Sequence, residues 1–244
     1  MRNFCKLTSY NPFFYLILIV FLIYGCGKEE STLVTEPSEG TVKEEEKEKA
    51  VLTLPDLGSS DAEGYYNIGV ETIKKGNFDL AIRAWNKAVE IDPTMVKAYN
   101  YLGRAYYTKD MMNEAISAYK KVVEIEPGNP NAFVSLGIAY RYNEMFDEAI
   151  VEFNKAIELN PLSALAYDEI GSALLKKKQY DEAIAAYKNA VALDPEFPEP
   201  HNHLGVVYLL RGRTKEASVE YKLFEELKAA EKLKQAKLMG GSSH

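Results

Sequence analysis

Residues 99–127 read YNYLGRAYYTKDMMNEAISAYKKVVEIEP. Tyr99, Leu102 and Tyr106 recur at i, i+3 and i+7, which is the spacing of one face of a helix. A polar break follows, and then a second apolar stripe that ends at Pro127, a residue that cannot continue a helix. The stretch therefore predicts two helices joined by a short turn.

The pattern of this stretch returns every 34 residues. One glycine lies in phase in each of five units: Gly69, Gly103, Gly137, Gly171 and Gly205. An aromatic residue follows sixteen positions later: Trp85, Tyr119, Phe153, Tyr187 and Tyr221. Alanines keep the same period, and prolines close the first four units. A period of this length indicates stacked helix pairs, each of which buries its apolar face on its neighbours. We expect the aromatic residues Tyr119, Phe153 and Tyr187 to be buried in the core of the central units.

The turn residues predict where each second helix begins. Asn113 stands where an N-cap residue is expected, because its side chain can accept a hydrogen bond from a free backbone N–H. Glu114 follows in the first turn, where the helix dipole favours a negative charge. Asp79, Asp147 and Asp181 occupy the capping position in their own units.

The repeated residues resemble the tetratricopeptide repeat family. Its signature is Tyr-x-x-Leu-Gly-x-x-Tyr, followed by alanine, an aromatic residue and proline at a 34-residue period. The resemblance implies an all-α fold, a right-handed α-solenoid of about five helix-turn-helix units over residues 62–228. The expected units are 62–95, 96–129, 130–163, 164–197 and 198–228. The family carries no chemistry of its own, so the resemblance implies a protein that binds other proteins.

The fifth unit lacks its closing proline, and nothing breaks the helix between residues 215 and 238. An apolar stripe continues along this segment: Leu223, Phe224, Leu227 and Ala230. A terminal repeat has no neighbour on one side, so a solenoid needs an end cap with a polar outer face. We therefore expect a C-terminal capping helix, with residues 229–244 forming its end and a flexible tail. A helix that dimerises or binds a partner is the alternative.

The chain begins with the features of an export signal. Arg2 and Lys6 precede residues 13–24, a run of twelve apolar residues. A membrane-spanning helix needs about 20 such residues, so this run fits the core of a signal peptide. A glycine and Cys26 follow and resemble a bacterial lipobox. That resemblance implies a signal peptide over residues 1–25 and lipidation of Cys26.

The lipobox implies a membrane-anchored lipoprotein that faces the periplasm, and Gly27 after the cysteine slightly favours the outer membrane. An uncleaved anchor and a plain signal peptide are the alternatives. Cys5 and Cys26 are the two cysteines of the sequence. Cleavage would leave one acylated cysteine, so we expect a fold that is stable without a disulfide.

Residues 26–61 are acidic and poor in bulky apolar side chains. From Lys28 to Asp61 there are ten acidic and four basic residues. Such a segment buries too little apolar surface to offset the entropy cost of ordering, so we expect a disordered tether. It either lifts the repeat domain off the membrane or is a linker with no partner of its own. The whole chain has a net charge of −7, and no basic stripe predicts nucleic-acid binding.

The first helix of each pair carries a second stripe beside the buried one. In the family the first helices line the concave surface, so the resemblance implies that this stripe is a partner-binding groove. The polar and aromatic candidates, expected outside the core, are Tyr66, Asn100, Arg104, Tyr107, Asn131, Arg141 and Tyr142. Asparagine can bind a peptide backbone as donor and acceptor, while tyrosine and arginine are enriched at the energetic centres of interfaces. Aliphatic members such as Val134 and Ile138 are instead expected to pack between repeats.

The sequence does not predict catalysis. His201 and His203 are two residues apart and point to different sides of a helix, so they do not form a metal pair. Asp168 and Glu169 are expected on solvated helix surface. The sequence has no phosphate-binding glycine loop, nucleophile elbow or cysteine–histidine set. We expect no enzyme activity, no cofactor and no metal.

Together these patterns predict a lipid-anchored scaffold that binds a protein or an extended peptide in the bacterial envelope. The chain resembles lipoproteins with tetratricopeptide arrays, and this resemblance implies a role as a pilotin, an assembly factor or an adaptor for peptidoglycan hydrolases. An accessory or regulatory subunit of an envelope enzyme complex is the alternative, and self-assembly through the C-terminal helix is a third possibility. A chaperone-type carboxylate clamp is not expected, because Tyr66, Val70 and Tyr101 stand where that clamp needs lysine and asparagine.

Overall fold

The computed structural model describes Leu54 and residues 61–240, with side chains up to residue 237. The regular structure of this part is entirely helical. The helices are α1 (Ala62–Lys74), α2 (Phe78–Ile91), α3 (Val96–Thr108), α4 (Met112–Ile125), α5 (Pro130–Tyr142), α6 (Phe146–Leu159), α7 (Ala164–Lys176), α8 (Tyr180–Leu193), α9 (Pro198–Leu210) and α10 (Thr214–Gly240). None of these helices is long and apolar enough to cross a membrane. The predicted signal peptide, Cys26 and nearly all of the predicted tether lie outside the described residues.

Consecutive helices pack as pairs, and each pair stacks on the next. Each odd-numbered helix packs on the helix that follows it, and the second helix of each of the first four pairs also contacts the first helix of the following unit. This is the predicted all-α solenoid of five units. Leu54, which falls in the predicted tether, is half-buried against an apolar cluster formed by the first two units.

The periodic glycines are explained by the aromatic residue of the same unit. In the third unit, a Cβ atom built on Gly137 would lie 2.5 Å from Cε1 of Phe153. That separation is well inside van der Waals contact, so the ring of Phe153 occupies the space that any side chain at this position would need. Phe153 is fully buried. The predicted core position of the aromatic residue is confirmed.

Each turn between paired helices contains one residue in the left-handed conformation. These residues are Gly76, Asp110, Glu144, Lys178 and Gly212, with φ between 59° and 77°. In the fourth unit the N–H of Lys178 donates to the carbonyl of Leu175, and the N–H of Gln179 donates to that of Leu174, both at 2.9 Å. This is the Schellman arrangement that ends a helix by satisfying its last carbonyls.

The predicted capping role of Asn113 is wrong. Helix α4 begins at Met112, so Asn113 is the second helical residue, and the N-cap is Met111, which makes no side-chain capping bond. Asn113 instead accepts a hydrogen bond from Nδ2 of Asn143 at 3.2 Å, thirty residues further along the chain.

The aspartates predicted to cap the other second helices have the same kind of contact. Asp79, Asp147 and Asp181 are second helical residues too. They form ion pairs, thirty residues further along the chain, with Lys109, Lys177 and Arg211. Each partner is the C-cap of the next first helix. The repeated acidic position therefore joins neighbouring units.

The last helix is polar where another unit would stack. Four units hold isoleucine at one position of the second helix: Ile82, Ile116, Ile150 and Ile184. Ile116 shares an apolar cluster with Phe133 and Tyr140 of the following first helix. The fifth unit has Ser218 at this position. A polar residue at the position that normally meets the next unit fits the predicted end cap.

The apolar stripe predicted along α10 is only partly buried. Ala217 is buried, and Phe224 and Leu227 are half-buried. Leu223 and Ala230 are exposed, which differs from the sequence prediction. Partial burial of α10 continues to Leu227 and Lys228, and every residue from 229 to 237 is exposed.

Candidate partner-binding groove

The face formed by the first helices of the second and third units contains a cavity of about 460 Å³. Four of the predicted groove residues line it: Arg104, Tyr107, Arg141 and Tyr142. The first two come from the last half of α3 and the other two from the last turn of α5. Tyr119 of α4, the second helix of the second unit, also lines the cavity. We refer to this space as the central cavity.

Two tyrosines form the aromatic wall of the central cavity. The rings of Tyr107 and Tyr142 meet edge to face, with 4.8 Å between their centroids. Burial, followed by hydrogen bonding to Tyr142, raises the pKa of Tyr107. Hydrogen bonding to Tyr107 and Arg141 lowers the pKa of Tyr142. Tyr142 is 49% exposed, so part of its side chain is open to solvent.

Arg141 is held by a carboxylate of the next unit. Its Nε lies 2.7 Å from Oε2 of Glu169, and only 15% and 13% of the two side chains are exposed. The guanidinium also lies over the ring of Tyr142, 4.4 Å from its centroid. Desolvation raises the pKa of Glu169, although the charge of Arg141 acts in the opposite direction. The positive charge of Arg141 is therefore largely compensated within the chain.

The prediction of a solvated surface at Asp168 and Glu169 is wrong. Asp168 is 4% exposed, and its Oδ1 lies 2.8 Å from Nδ1 of His203. The ring of His203 also packs on Tyr187, with 5.1 Å between centroids. In a solenoid the first helices of successive units lie side by side, so acidic residues at their mutual boundary are covered. Neither residue repeats at the 34-residue period, and the sequence therefore gave little sign of their burial.

The two histidines have separate partners, as their spacing predicts. His203 faces α7 through Asp168, whereas Nδ1 of His201 lies 2.7 Å from Oε2 of Glu220 on α10. Among the described residues, no group of three or more histidine, cysteine, aspartate or glutamate side chains could hold a metal ion.

Arg104 differs from Arg141 in being exposed. No carboxylate in the described part of the chain forms an ion pair with it; its guanidinium lies 5.9 Å from the ring centroid of Tyr101. Arg104 also lines a second cavity of about 260 Å³. We refer to this one as the flanking cavity. Its apolar lining comes mainly from Ile73, Phe78, Trp85 and Tyr101.

The other predicted groove residues lie outside both cavities. Tyr66 packs edge to face on Tyr101, with 5.7 Å between centroids, and Nζ of Lys97 lies 4.3 Å above its ring. Asn100 is half-buried, and Asn131 is an exposed residue in the first turn of α5. The structure thus brings together four of the seven predicted residues.

Sequence reasoning missed Tyr119 and Glu169 as lining residues of the central cavity. Tyr119 was predicted only as a core residue, and its burial raises its pKa to about 12. Its ring nevertheless lies against Gly103. Because Gly103 has no side chain, the ring of Tyr119 lies close against α3 and lines the central cavity from the side of α4. The shared period of the glycine and the aromatic residue indicates that the two are in contact. That this contact opens towards the groove can be seen only when the positions of the helices are known.

Comparisons with known proteins agree with this architecture. Models described as tetratricopeptide repeat or TPR repeat match residues 71–110, 96–129, 130–163, 152–185 and 171–212. The chain belongs to the tetratricopeptide repeat family. No curated protein matches it.

Several solved structures share the fold. A crystal structure of MamA is 31% identical over 67% of this chain and 96% of that chain, with a TM-score of 0.60. MamA from Desulfovibrio magneticus RS-1 is 23% identical over 70% of this chain and 96% of that chain, with a TM-score of 0.62. PilW, a type IV pilus biogenesis factor, is 20% identical over 69% of this chain and 78% of that chain, with a TM-score of 0.60. At these last two identities the likeness concerns the fold alone.

Proposed function

We propose that this protein is a non-catalytic scaffold that binds a partner protein or an extended peptide in the groove of its first helices. The observation that carries the proposal is the central cavity, which gathers two arginines and three tyrosines from two successive units. These residue types dominate the binding energy of many interfaces. Tyrosine offers a large contact area with few rotatable bonds, and arginine offers five N–H donors in a planar group. The cavity volume lies within the range of about 300–1,000 Å³ that is common for binding sites.

The polar groups of the groove support recognition rather than bond-making. Arg141 is paired with Glu169, and Asp168 with His203. Such pairs fix the positions of neighbouring side chains, including the ring of Tyr142. A wall that is already in place binds a partner without a further cost of ordering it.

The proposal includes attachment to a membrane through lipidated Cys26, with the solenoid facing the periplasm. It is supported by the basic start, the run of twelve apolar residues and the cysteine that follows a glycine. Several acyl chains anchor a protein stably, whereas one chain binds only marginally. In this place the scaffold would serve as a pilotin, an assembly factor or a hydrolase adaptor. The alternative, an accessory subunit of an envelope enzyme, uses the same groove and differs in the identity of its partner.

Site-specific crosslinking tests the groove in cells. A photo-crosslinking amino acid is placed at Tyr142 in the full chain, or at Leu162, which is 75% exposed in the turn between α6 and α7 and outside both cavities. We expect a discrete crosslinked species from position 142 that is lost when Tyr107→Ala is added. Equal crosslinking from positions 142 and 162 contradicts a partner site in the groove. The crosslinked protein, identified by mass spectrometry, distinguishes a structural partner from an enzyme.

A further inference from the structure

Arg104 stands on the boundary between the two cavities of the groove. It lines both of them, and so does Thr108, one turn further along α3. The flanking cavity has an aromatic and aliphatic lining that includes Phe78 and Trp85. On the other side, the central cavity presents Ile138 and Tyr142. A cation therefore separates two partly apolar spaces.

The charge of Arg104 distinguishes it from the other ionised groups of the groove. Arg141 and Glu169 neutralise one another at 2.7 Å, and Asp168 is hydrogen-bonded to His203 at 2.8 Å. Arg104 has no such carboxylate within the described residues. A guanidinium offers five N–H donors in a planar fork that matches a carboxylate. Of the charged residues that line the two cavities, Arg104 alone has no ion-pair partner among the described residues. A partner that supplies a carboxylate here complements this charge.

We propose that the groove selects a partner segment in which a carboxylate lies between two apolar side chains. The carboxylate binds Arg104, one apolar side chain enters the flanking cavity and the other enters the central cavity. Neighbouring helices pack about 8–10 Å apart, and an extended chain rises about 3.3 Å per residue. Apolar residues about three positions apart therefore span the two cavities. This inference rests on the proposed function and specifies the chemistry of the partner.

Synthetic peptides test this selectivity with the full chain. The probes are fluorescein-labelled, C-terminally amidated peptides with one glutamate between a leucine and a phenylalanine that lie two, three or four positions apart. Matched peptides carry glutamine in place of glutamate. A third set combines glutamine with a free C-terminal carboxylate directly after the second apolar residue. Fluorescence anisotropy gives the Kd for each peptide at low and at high salt.

We expect the glutamate peptide with the best spacing to bind roughly tenfold more tightly than its glutamine match at low salt, because a charge-assisted hydrogen bond is stronger than a neutral one. High salt reduces this ratio, since the site is exposed. Arg104→Gln should bring the ratio close to one, and Arg104→Lys should keep part of it. Arg211→Gln is the control, because it removes the same charge at the ion pair with Asp181, away from both cavities. Tighter binding of the free-terminus peptide than of the glutamate peptide would overturn the placement of the carboxylate between the two apolar side chains, and the reverse supports it.

The outcomes separate this inference from the proposed function. Equal affinities for glutamate and glutamine peptides, both weakened by Tyr107→Ala, would overturn the role of Arg104 and leave the groove as the binding site. A preference that persists in Arg104→Gln overturns it as well. Binding that survives Arg104→Gln, Tyr107→Ala and Tyr142→Ala together overturns both proposals. If no peptide of any set binds, the selectivity is wrong, and the proposed function is decided by the crosslinking experiment.

Discussion

Arg141 and Glu169 form a 2.7 Å ion pair between the first helices of the third and fourth units, and both side chains are largely buried. The pair closes one side of the central cavity and holds the guanidinium over the ring of Tyr142. Arg141 is thus both a wall of the groove and part of the contact between units. The side chain of Arg141 is more buried than was expected of a groove residue outside the core, because its partner is contributed by a neighbouring unit.

Removing Arg141 should destabilise the protein as well as alter the groove. Arg141→Ala leaves the carboxylate of Glu169 buried without its partner, which we expect to lower the free energy of unfolding by about 1–3 kcal/mol. Arg211→Ala breaks an exposed pair with Asp181 and should cost less than about 1 kcal/mol. Urea denaturation followed by circular dichroism measures both. Equal losses of unfolding free energy in the two variants would show that the buried Arg141–Glu169 pair stabilises the protein no more than an exposed pair does. For this reason Tyr107 and Tyr142 are the better positions for testing binding.

Glu169 should give the stability of the protein a measurable pH dependence. Its pKa is raised in the folded state, chiefly by desolvation. The folded state therefore holds this proton more tightly than the unfolded chain, whose glutamates titrate near pH 4.3. The contribution of Glu169 to the free energy of unfolding should fall as pH rises from about 4.3 through the raised folded value, and stay constant above it.

The measurement compares the wild type with Glu169→Gln, which cannot titrate. The difference in free energy of unfolding, wild type minus variant, should decrease across this pH window. Glu158→Gln is the control, because Glu158 is exposed and its difference should stay nearly flat. A difference for Glu169→Gln that rises with pH would mean that the attraction of Arg141 outweighs desolvation.

Replacing a left-handed turn residue by glycine should stabilise the protein. Lys178 has φ 61°, a conformation that costs an L-residue with a side chain roughly 1 kcal/mol and costs glycine almost nothing. The equivalent residues of the first and fifth units are Gly76 and Gly212. We expect Lys178→Gly to raise the melting temperature. Lys176→Gly, at the last residue of α7, loses the same charge without relieving a left-handed conformation and should lower it. Lower melting temperatures for both would contradict this account of the turn.

The fold could be predicted from the sequence because the pattern of one helix–turn–helix unit occurs five times at a fixed period. The glycine at 137 and the aromatic residue at 153 meet within one unit, so their spacing alone predicts how the two helices pack. The groove depends on contacts between units. Arg104, Tyr107, Arg141 and Tyr142 could be placed on neighbouring first helices, since the period fixes their register. The partner of Arg141 could not, because Glu169 has no equivalent in the other units and its burial follows from the stacking.

Membrane attachment is testable at Cys26. Cys26→Ser removes the thiol that a lipid would acylate, so we expect the protein to leave the membrane fraction or to accumulate as an uncleaved precursor. Cys5→Ser, which alters the other cysteine, should leave fractionation unchanged. Fractionation of cells and mass spectrometry of the mature N-terminus are the measurements. A mature protein that begins at any residue other than Cys26 contradicts the lipoprotein proposal.

Gly137 and Phe153 should behave as one packing unit. Phe153→Ala empties a fully buried site and should lower the free energy of unfolding by about 3–5 kcal/mol, against about half a kcal/mol or less for the exposed Glu158→Ala.

Gly137→Ala places a methyl group where the ring of Phe153 lies, so it should also destabilise the protein. In the Phe153→Ala background the added methyl group meets no ring, and Gly137→Ala should then cost little or even partly fill the cavity. The coupling between the two substitutions, obtained from the four free energies of unfolding, should therefore be of the order of 1 kcal/mol or more. Additive effects would show that the glycine is not required by the ring and that the periodic pair has another cause.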